Sequence, residues 1–296
     1  MSASRAYRLK SKEPLPEGIA RAARGRIDNA IDELRGETDS SPEEAVHNAR
    51  KDLKKLRALL RLARGELGES VFARENACFR DAGRELAAAR DSDVMLDTLQ
   101  ALDIPDGLGW DLRKSIQAHR ARNGEGGRHA AAVGVVAMLR EARGGVDNWP
   151  LEDDSFGALH DGLKRTYRRG RRDFKAAQAD ASVEALHQWR KRVKDLWYHH
   201  TLLRPLWPPV MQAVGDQAHE LADRLGDDHD LAMLADWIRD HTDAGPELFD
   251  AVDRRRAELQ ADAMTLGARL YADKPSAYVR RLRRLWKAAP SSVRAP

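Results

Sequence analysis

The feature that most constrains this chain is a missing pattern. Across 296 residues there is no run of alternating β-branched positions bounded by turn residues, which is the period-2 signature of strands. Apolar residues instead recur three and four apart, in segments dominated by Ala, Leu, Arg and Glu, as helices require. The chain is expected to be all-α. Ser41-Pro42-Glu43-Glu44 and Ser182-Val183-Glu184 read as helix starts, each with a capping serine and acids at the positive helix end. Breaks are expected at 65–68, 103–109, 123–127, 144–150, 205–209 and 245–246, giving about twelve helices. The longest apolar run, 130–139, is far short of the roughly 20 residues of a spanning helix. The first sixteen residues have no apolar core and do not read as a secretory signal. A single cysteine, Cys78, excludes an internal disulfide and fits a reducing, cytoplasmic setting. It is expected to be a packed, unreactive thiol.

The two sides of the 144–150 break resemble each other. His47-Asn-Ala-Arg50-Lys51-Asp-Leu-Lys54 matches His187-Gln-Trp-Arg190-Lys191-Arg-Val-Lys194 at an offset of 140. Upstream, Gly18-Ile-Ala-Arg21-Ala-Ala-Arg24 matches Gly162-Leu-Lys-Arg165-Thr-Tyr-Arg168. Downstream, Ala89-Arg-Asp91-Ser-Asp93 matches Gly226-Asp-Asp228-His-Asp230. The common order suggests an internal duplication. We expect a tail over 1–14 and two antiparallel helical-bundle halves, 15–145 and 150–290, related by a pseudo-two-fold axis within one domain.

Charge is segregated, although 51 Lys and Arg nearly balance 47 Asp and Glu. Segment 47–64 carries seven bases and one acid, and 280–287 five bases and none. Segment 215–262 carries fourteen acids and five bases. On a helical wheel Val46, Ala49, Leu53, Leu56 and Leu60 form a core face, with His47, Arg50, Lys54, Arg57 and Arg61 on the adjoining strip and Lys51 beside it. The second helix repeats this with Leu186, Trp189, Val193 and Leu196 as core and His187, Arg190 and Lys194 as strip, flanked by Lys191. Trp197, Tyr198 and Thr201 make the second strip less basic. Rows of like charge on one helix face are destabilising, so the strips call for acids within the protein or an anionic ligand. Arg165, Arg168, Arg169 and Arg172 share another face, with Arg21, Arg24 and Arg26 as a sparser counterpart. Lys274 precedes a further basic helix that carries Arg281. These elements could line one groove or pore, in which Arg offers bidentate forks to phosphate and Lys offers mobile point charges. The acidic 215–262 region would pack around the outside.

The duplicated His-x-x-Arg-Lys-x-x-Lys helix resembles the CHAD family, the conserved histidine α-helical domain. The resemblance extends to Gly162-Leu-Lys-Arg-Thr-Tyr-Arg-Arg-Gly-Arg-Arg172, Leu225-Gly-Asp-Asp-His-Asp230 and Leu270-Tyr-Ala-Asp-Lys-Pro275. It implies two helical bundles around a basic central cavity that binds inorganic polyphosphate, and association with polyphosphate granules. By position it puts His47, Arg50, Lys51, Lys54, His187, Arg190, Lys191 and Lys194 toward the ligand, followed by Arg165, Arg168, Arg169, Arg172, Lys274 and Arg281. The strips add Arg57, Arg61, Tyr198 and Arg21. The triphosphate-tunnel domain fused to some members is not expected, because no β-rich segment precedes Gly18. Polyphosphate has no bases to stack or read, so a Lys and Arg track without an aromatic platform suits it better than single-stranded nucleic acid.

Two competing readings remain. Asp227-Asp228-His229-Asp230 contains the His-Asp pair used by metal-dependent phosphohydrolases, but its counterpart in the first half has Ser92 at the histidine position. Asp91 and Asp93 match Asp228 and Asp230, which suggests capping or salt bridging to the basic helices. The basic strips also permit a nucleic-acid binder, although no named binding motif appears. No nucleophile motif, phosphate-binding loop or dinucleotide fingerprint is present, and His199 and His200 point apart on a helix. The expectation is a binding module without catalysis, cofactor, resident metal, membrane or specific nucleic acid. Polyphosphate-metabolising enzymes are its expected protein partners.

Overall fold

The computed structural model describes residues 5–10, 13–86, 91–102, 104, 106–122, 126–242 and 245–289. Among these, ten α-helices and two short 3₁₀ turns account for the regular structure, and there is no strand. The helices are α1 (Leu15–Leu34), α2 (Pro42–Glu85), α3 (Asp91–Gln100), α4 (Asp106–Arg122), α5 (Gly126–Gly145), α6 (Gly157–Ala179), α7 (Val183–Leu202), α8 (Pro208–His241), α9 (Pro246–Leu270) and α10 (Pro275–Ala288). None is long and apolar enough to cross a membrane.

The expected caps are in place. Glu44 N donates to Ser41 Oγ at 3.3 Å, and Ser41 N donates to the Glu44 carboxylate at 2.9 Å, the reciprocal box that satisfies two orphan amides. Ala185 N donates to Ser182 Oγ at 3.4 Å, starting α7. The break expected at 65–68 is a sharp bend within α2. Gly68 sits at φ 70°, ψ 164°, a conformation essentially reserved for glycine. Arg57 Nε reaches Asn76 Oδ1 at 3.1 Å. Nineteen residues of straight helix would separate these by roughly 28 Å, so the two arms of α2 return on each other as an αα-hairpin. A Cβ on Gly83 would meet Leu53 Cδ1 at 3.9 Å, consistent with that return.

α1 packs on α2 and α5, while α6, α7, α8 and α9 pack in succession and α10 covers α6. The two groups join where α2 meets α6 and α7. At that joint a Cβ on Gly162 would lie 1.9 Å from the Leu62 carbonyl oxygen, so only glycine permits so close an approach. The main apolar cluster draws on both sides of the 144–150 break, including Leu53, Leu56 and Leu60 from α2 and Trp189 and Val193 from α7. A second cluster joins α3 and α4 to the C-terminal part of α8 and the N-terminal part of α9. The core therefore does not divide at the sequence midpoint. Nor is 5–10 a loose tail: Tyr7 and Leu9 are buried in the main cluster, and Leu9 N donates to Leu202 O at 3.0 Å.

Asp52, on the far side of α2 from the basic strip, is buried. It accepts from Arg26 Nη1 at 3.0 Å and Lys55 Nζ at 2.9 Å. This ties α1 to α2 and leaves the strip facing away.

Candidate anion-binding site

The strip of α2 and the strip of α7 lie side by side, with α6 closing one flank. Asp195, 3% exposed, joins them: it accepts from Arg61 Nη1 of α2 at 2.8 Å and from Arg192 Nη1 of α7 at 2.7 Å. Arg165 of α6 donates from Nη2 to the Arg61 carbonyl at 3.1 Å. Arg61, Arg64, Arg165, Arg169 and Arg192 surround a cavity of about 240 Å³, completed by Thr166 and by Phe72 and Asn76 from the returning arm of α2. The Arg64 guanidinium lies 4.4 Å above the Phe72 ring and occupies that face of it.

Cations crowd the centre of this basic face. Lys194 is pushed down to about 6 by burial, reinforced by Arg190 and Lys54 and opposed by Asp223 and Asp230. Arg57 is lowered to about 10 by burial and by Arg61, with Arg80 and Arg192 adding to the effect. Burial and neighbouring guanidiniums also lower Arg165 and Arg169. Burial lowers Lys191, with Arg192 and Arg57 adding to it. Burial is the first cause in each case, and neighbouring cations add to it. Exposed Lys54 and half-buried Arg50 connect the centre to the start of α2. There His47, Asn48 and Lys51 line a wider cavity of about 620 Å³, rimmed by Asp39, Glu43, Glu44 and Asp97. The two ends thus differ, one arginine-rich and enclosed by helices, the other lysine and histidine with acids at its rim.

The acidic region is not simply wrapped around the outside, as expected. α8 lies directly on α7 and borders the second strip. Arg190 Nε donates to the Ala222 carbonyl at 3.2 Å. A Cβ on Gly226 would fall 2.3 Å from Arg190 Nη2, so glycine makes room for that guanidinium. The His187 and His229 rings face each other at 4.6 Å, and His187 is lowered to about 4 by burial, then by His229. Asp228 accepts from Arg256 Nε at 3.0 Å and Gln260 Nε2 at 2.7 Å, and so ties α8 to α9. Among the described residues no group of three His, Cys, Asp or Glu could hold a metal ion. The side chains of Asp91 and Asp93 lie outside the described residues.

Several expected ligand residues lie elsewhere. Tyr198 is 2% exposed and packs edge-on against Tyr7 at 6.4 Å; the wheel sets it on the strip, but the N-terminal segment covers it, so it does not face a ligand. Arg21 is clamped by Glu13, with Nε–Oε2 at 2.8 Å and Nη2–Oε1 at 2.5 Å, and donates to the Ala6 and Arg8 carbonyls. It secures the N-terminal segment. Arg168 and Arg172 are exposed on α6, and Arg172 pairs with Asp173 at 2.7 Å. Lys274 begins α10, which also carries exposed Arg281. Among the described residues no hydrogen bond or ion pair joins either to the arginine cavity. Conversely, Arg64 and Arg192 line the cavity although the strips omit them. Arg64 continues the Arg57, Arg61 series by one turn, a signal present in the sequence. Arg192 is off the wheel strip, and only the α2–α7 crossing brings it in.

His199 and His200 are buried. His199 Nε2 donates to the Ala58 carbonyl at 3.0 Å and His200 Nδ1 to the Leu196 carbonyl at 3.0 Å, so both serve packing. The half-buried Cys78 thiol is raised to about 11, chiefly by burial and then by Glu75, and is unreactive at neutral pH.

The family model of the CHAD domain matches residues 19–239. The crystal structure of the CHAD domain from the plant Ricinus communis is similar in fold, with a TM-score of 0.64 and 20% sequence identity over 95% of each chain. Comparison with curated proteins gave no match.

Proposed function

The chain belongs to the CHAD family, and from that premise we propose that it binds inorganic polyphosphate along the basic face of α2, α6 and α7. One observation carries the reading: cations from three helices converge on one face in excess of the carboxylates there, beside a cavity lined by five arginines. An extended polyanion relieves that repulsion, and lysines can follow its irregular path as point charges. Exposed Trp110 and Trp207 are not among the residues lining the cavities along this face. That favours a ligand without bases over single-stranded nucleic acid. The protein would act by binding and not by hydrolysis, and granule association and contact with polyphosphate enzymes would follow from that affinity.

The test is a titration with long-chain polyphosphate at several salt concentrations. Single-stranded DNA and triphosphate run alongside, with released phosphate assayed throughout. Tight, salt-sensitive binding to polyphosphate, weak binding to DNA and no phosphate release are expected, since displaced counterions make polyanion affinity fall with salt. Reversing charge at Lys54 and Lys194 together should greatly weaken binding while the circular dichroism stays helical. Metal-dependent phosphate release would redirect attention to His229.

A further inference from the structure

The arginine cavity differs in kind from the rest of the basic face. Its five guanidiniums come from three helices, Arg61 and Arg64 from α2, Arg165 and Arg169 from α6, Arg192 from α7. They meet two carboxylates: Asp195 takes Arg61 and Arg192, and Glu69 takes Arg64, with Nε–Oε1 at 2.8 Å. Arg165 and Arg169 have no ion pair among the described residues, and although Glu69 and Asp161 act on Arg165 through space, the guanidiniums around this one small space outnumber the carboxylates. The returning arm of α2 adds Phe72 and Asn76 to the lining. The rest of the face mixes Lys51, Lys54, Lys191 and Lys194 with Arg50, Arg57 and Arg190, none of which lines this cavity.

An interior phosphate of a chain has two free oxygens and about one charge. A terminal phosphate has three free oxygens and, like a phosphomonoester, about −1.5 to −2 charge near pH 7. Guanidinium forks each engage two oxygens in fixed geometry. Several forks converging on one space are poorly used by a phosphate bonded to neighbours on both sides. A chain end leaves one side open to them.

We propose that the cavity lined by Arg61, Arg64, Arg165, Arg169 and Arg192 is an end-binding subsite, which takes the terminal phosphate of a polyphosphate chain while the lysines along α2 and α7 hold the interior. The inference rests on the polyphosphate reading and adds a direction to it: the chain end sits at the Gly68 bend and the chain runs toward His47. The part of the lowering of Arg165 and Arg169 that comes from neighbouring guanidiniums is in accord, since a dianionic group counters that repulsion.

The experiment compares polyphosphate of one defined short length with the same chain whose terminal phosphates are blocked by esterification. Both are titrated into wild type and into the Arg165→Lys/Arg169→Lys double variant. The variant keeps its charge but loses its forks, and its melting temperature reports that it is folded. Wild type should prefer the free-ended chain by about tenfold, the scale of one charge-assisted hydrogen bond, and the variant should lose most of that preference, keeping only what the extra end charge supplies. Equal affinity of wild type for free and blocked chains would overturn the end-binding subsite and leave the polyphosphate reading standing. A preference undiminished in the variant would place end recognition outside this cavity and also overturn it. Binding of neither chain would remove the polyphosphate reading itself.

Discussion

Asp195 works against simple charge counting. A buried carboxylate beside the proposed polyanion site would by Coulomb's law weaken the ligand, yet it fixes guanidiniums from two helices. Asp195→Asn should therefore lower polyphosphate affinity in equilibrium titrations, although it removes a negative charge. It should also cost about 3 kcal/mol in urea unfolding, the scale of breaking a buried ion pair from one side. A gain in affinity would mean that the arginines need no keel. Lys194 yields a prediction with a sign. Its folded value of about 6 lies below the roughly 10.4 of an unfolded lysine, so the fold disfavours its charged form. Its contribution to stability is complete above the unfolded value and is lost as pH falls toward 6, so stability rises with pH between those limits. Lys194→Met should flatten that slope. Bound polyphosphate restores the charge, so binding at pH 7.5 should take up protons, and calorimetric heats should differ between buffers of unequal ionisation enthalpy. Identical heats would place Lys194 away from the ligand. At this scale the sequence is only partly legible. Wheel positions identify Lys54, Arg57, Arg61 and Lys194, because a helix face is a local property. They fail at Tyr198, Arg21 and Arg192, whose surroundings are set by Tyr7, by Glu13 and by the α2–α7 crossing.

Among the elements, helices and caps follow from local chemistry. The Ser41 and Ser182 caps, the all-helical pattern and the break near Gly68 can all be read directly, since each depends on a few adjacent residues. That the break folds α2 back on itself cannot, because a glycine marks a bend without fixing its angle. Two glycines separate torsion from packing. A methyl on Gly68 would have nothing within 4 Å of it, so Gly68→Ala meets only the backbone penalty, about 1–3 kcal/mol. Gly162→Ala drives a methyl into the Leu62 carbonyl and must push α6 away from α2. It should lower the melting temperature more than Gly68→Ala and also weaken polyphosphate binding, since Arg165 moves with α6. Equal melting temperatures would show that the joint has slack.

For the molecule as a whole, a net charge of +4 understates what a polyanion meets, because bases gather on α2, α6 and α7 while many of the acids lie on α8 and α9. Polyphosphate should raise the melting temperature in proportion to the logarithm of its concentration above saturation. The gain should fade with added salt, as counterion release requires. A salt-independent gain would point to a ligand held by neutral contacts.

Among the described residues the two apolar clusters share only α8 and α9: Leu225 lies in the first and Leu231 in the second, as do Ala263 and Leu259 respectively. Local opening tends to follow such cooperative units. Deuterium should therefore enter amides around Leu99 and Ile116 well before those around Leu56 and Trp189. The chain would behave as a grip with a detachable outer lobe. That lobe can breathe, or be nicked by a protease, while the gripping face keeps its shape, with α8 as the splint between them.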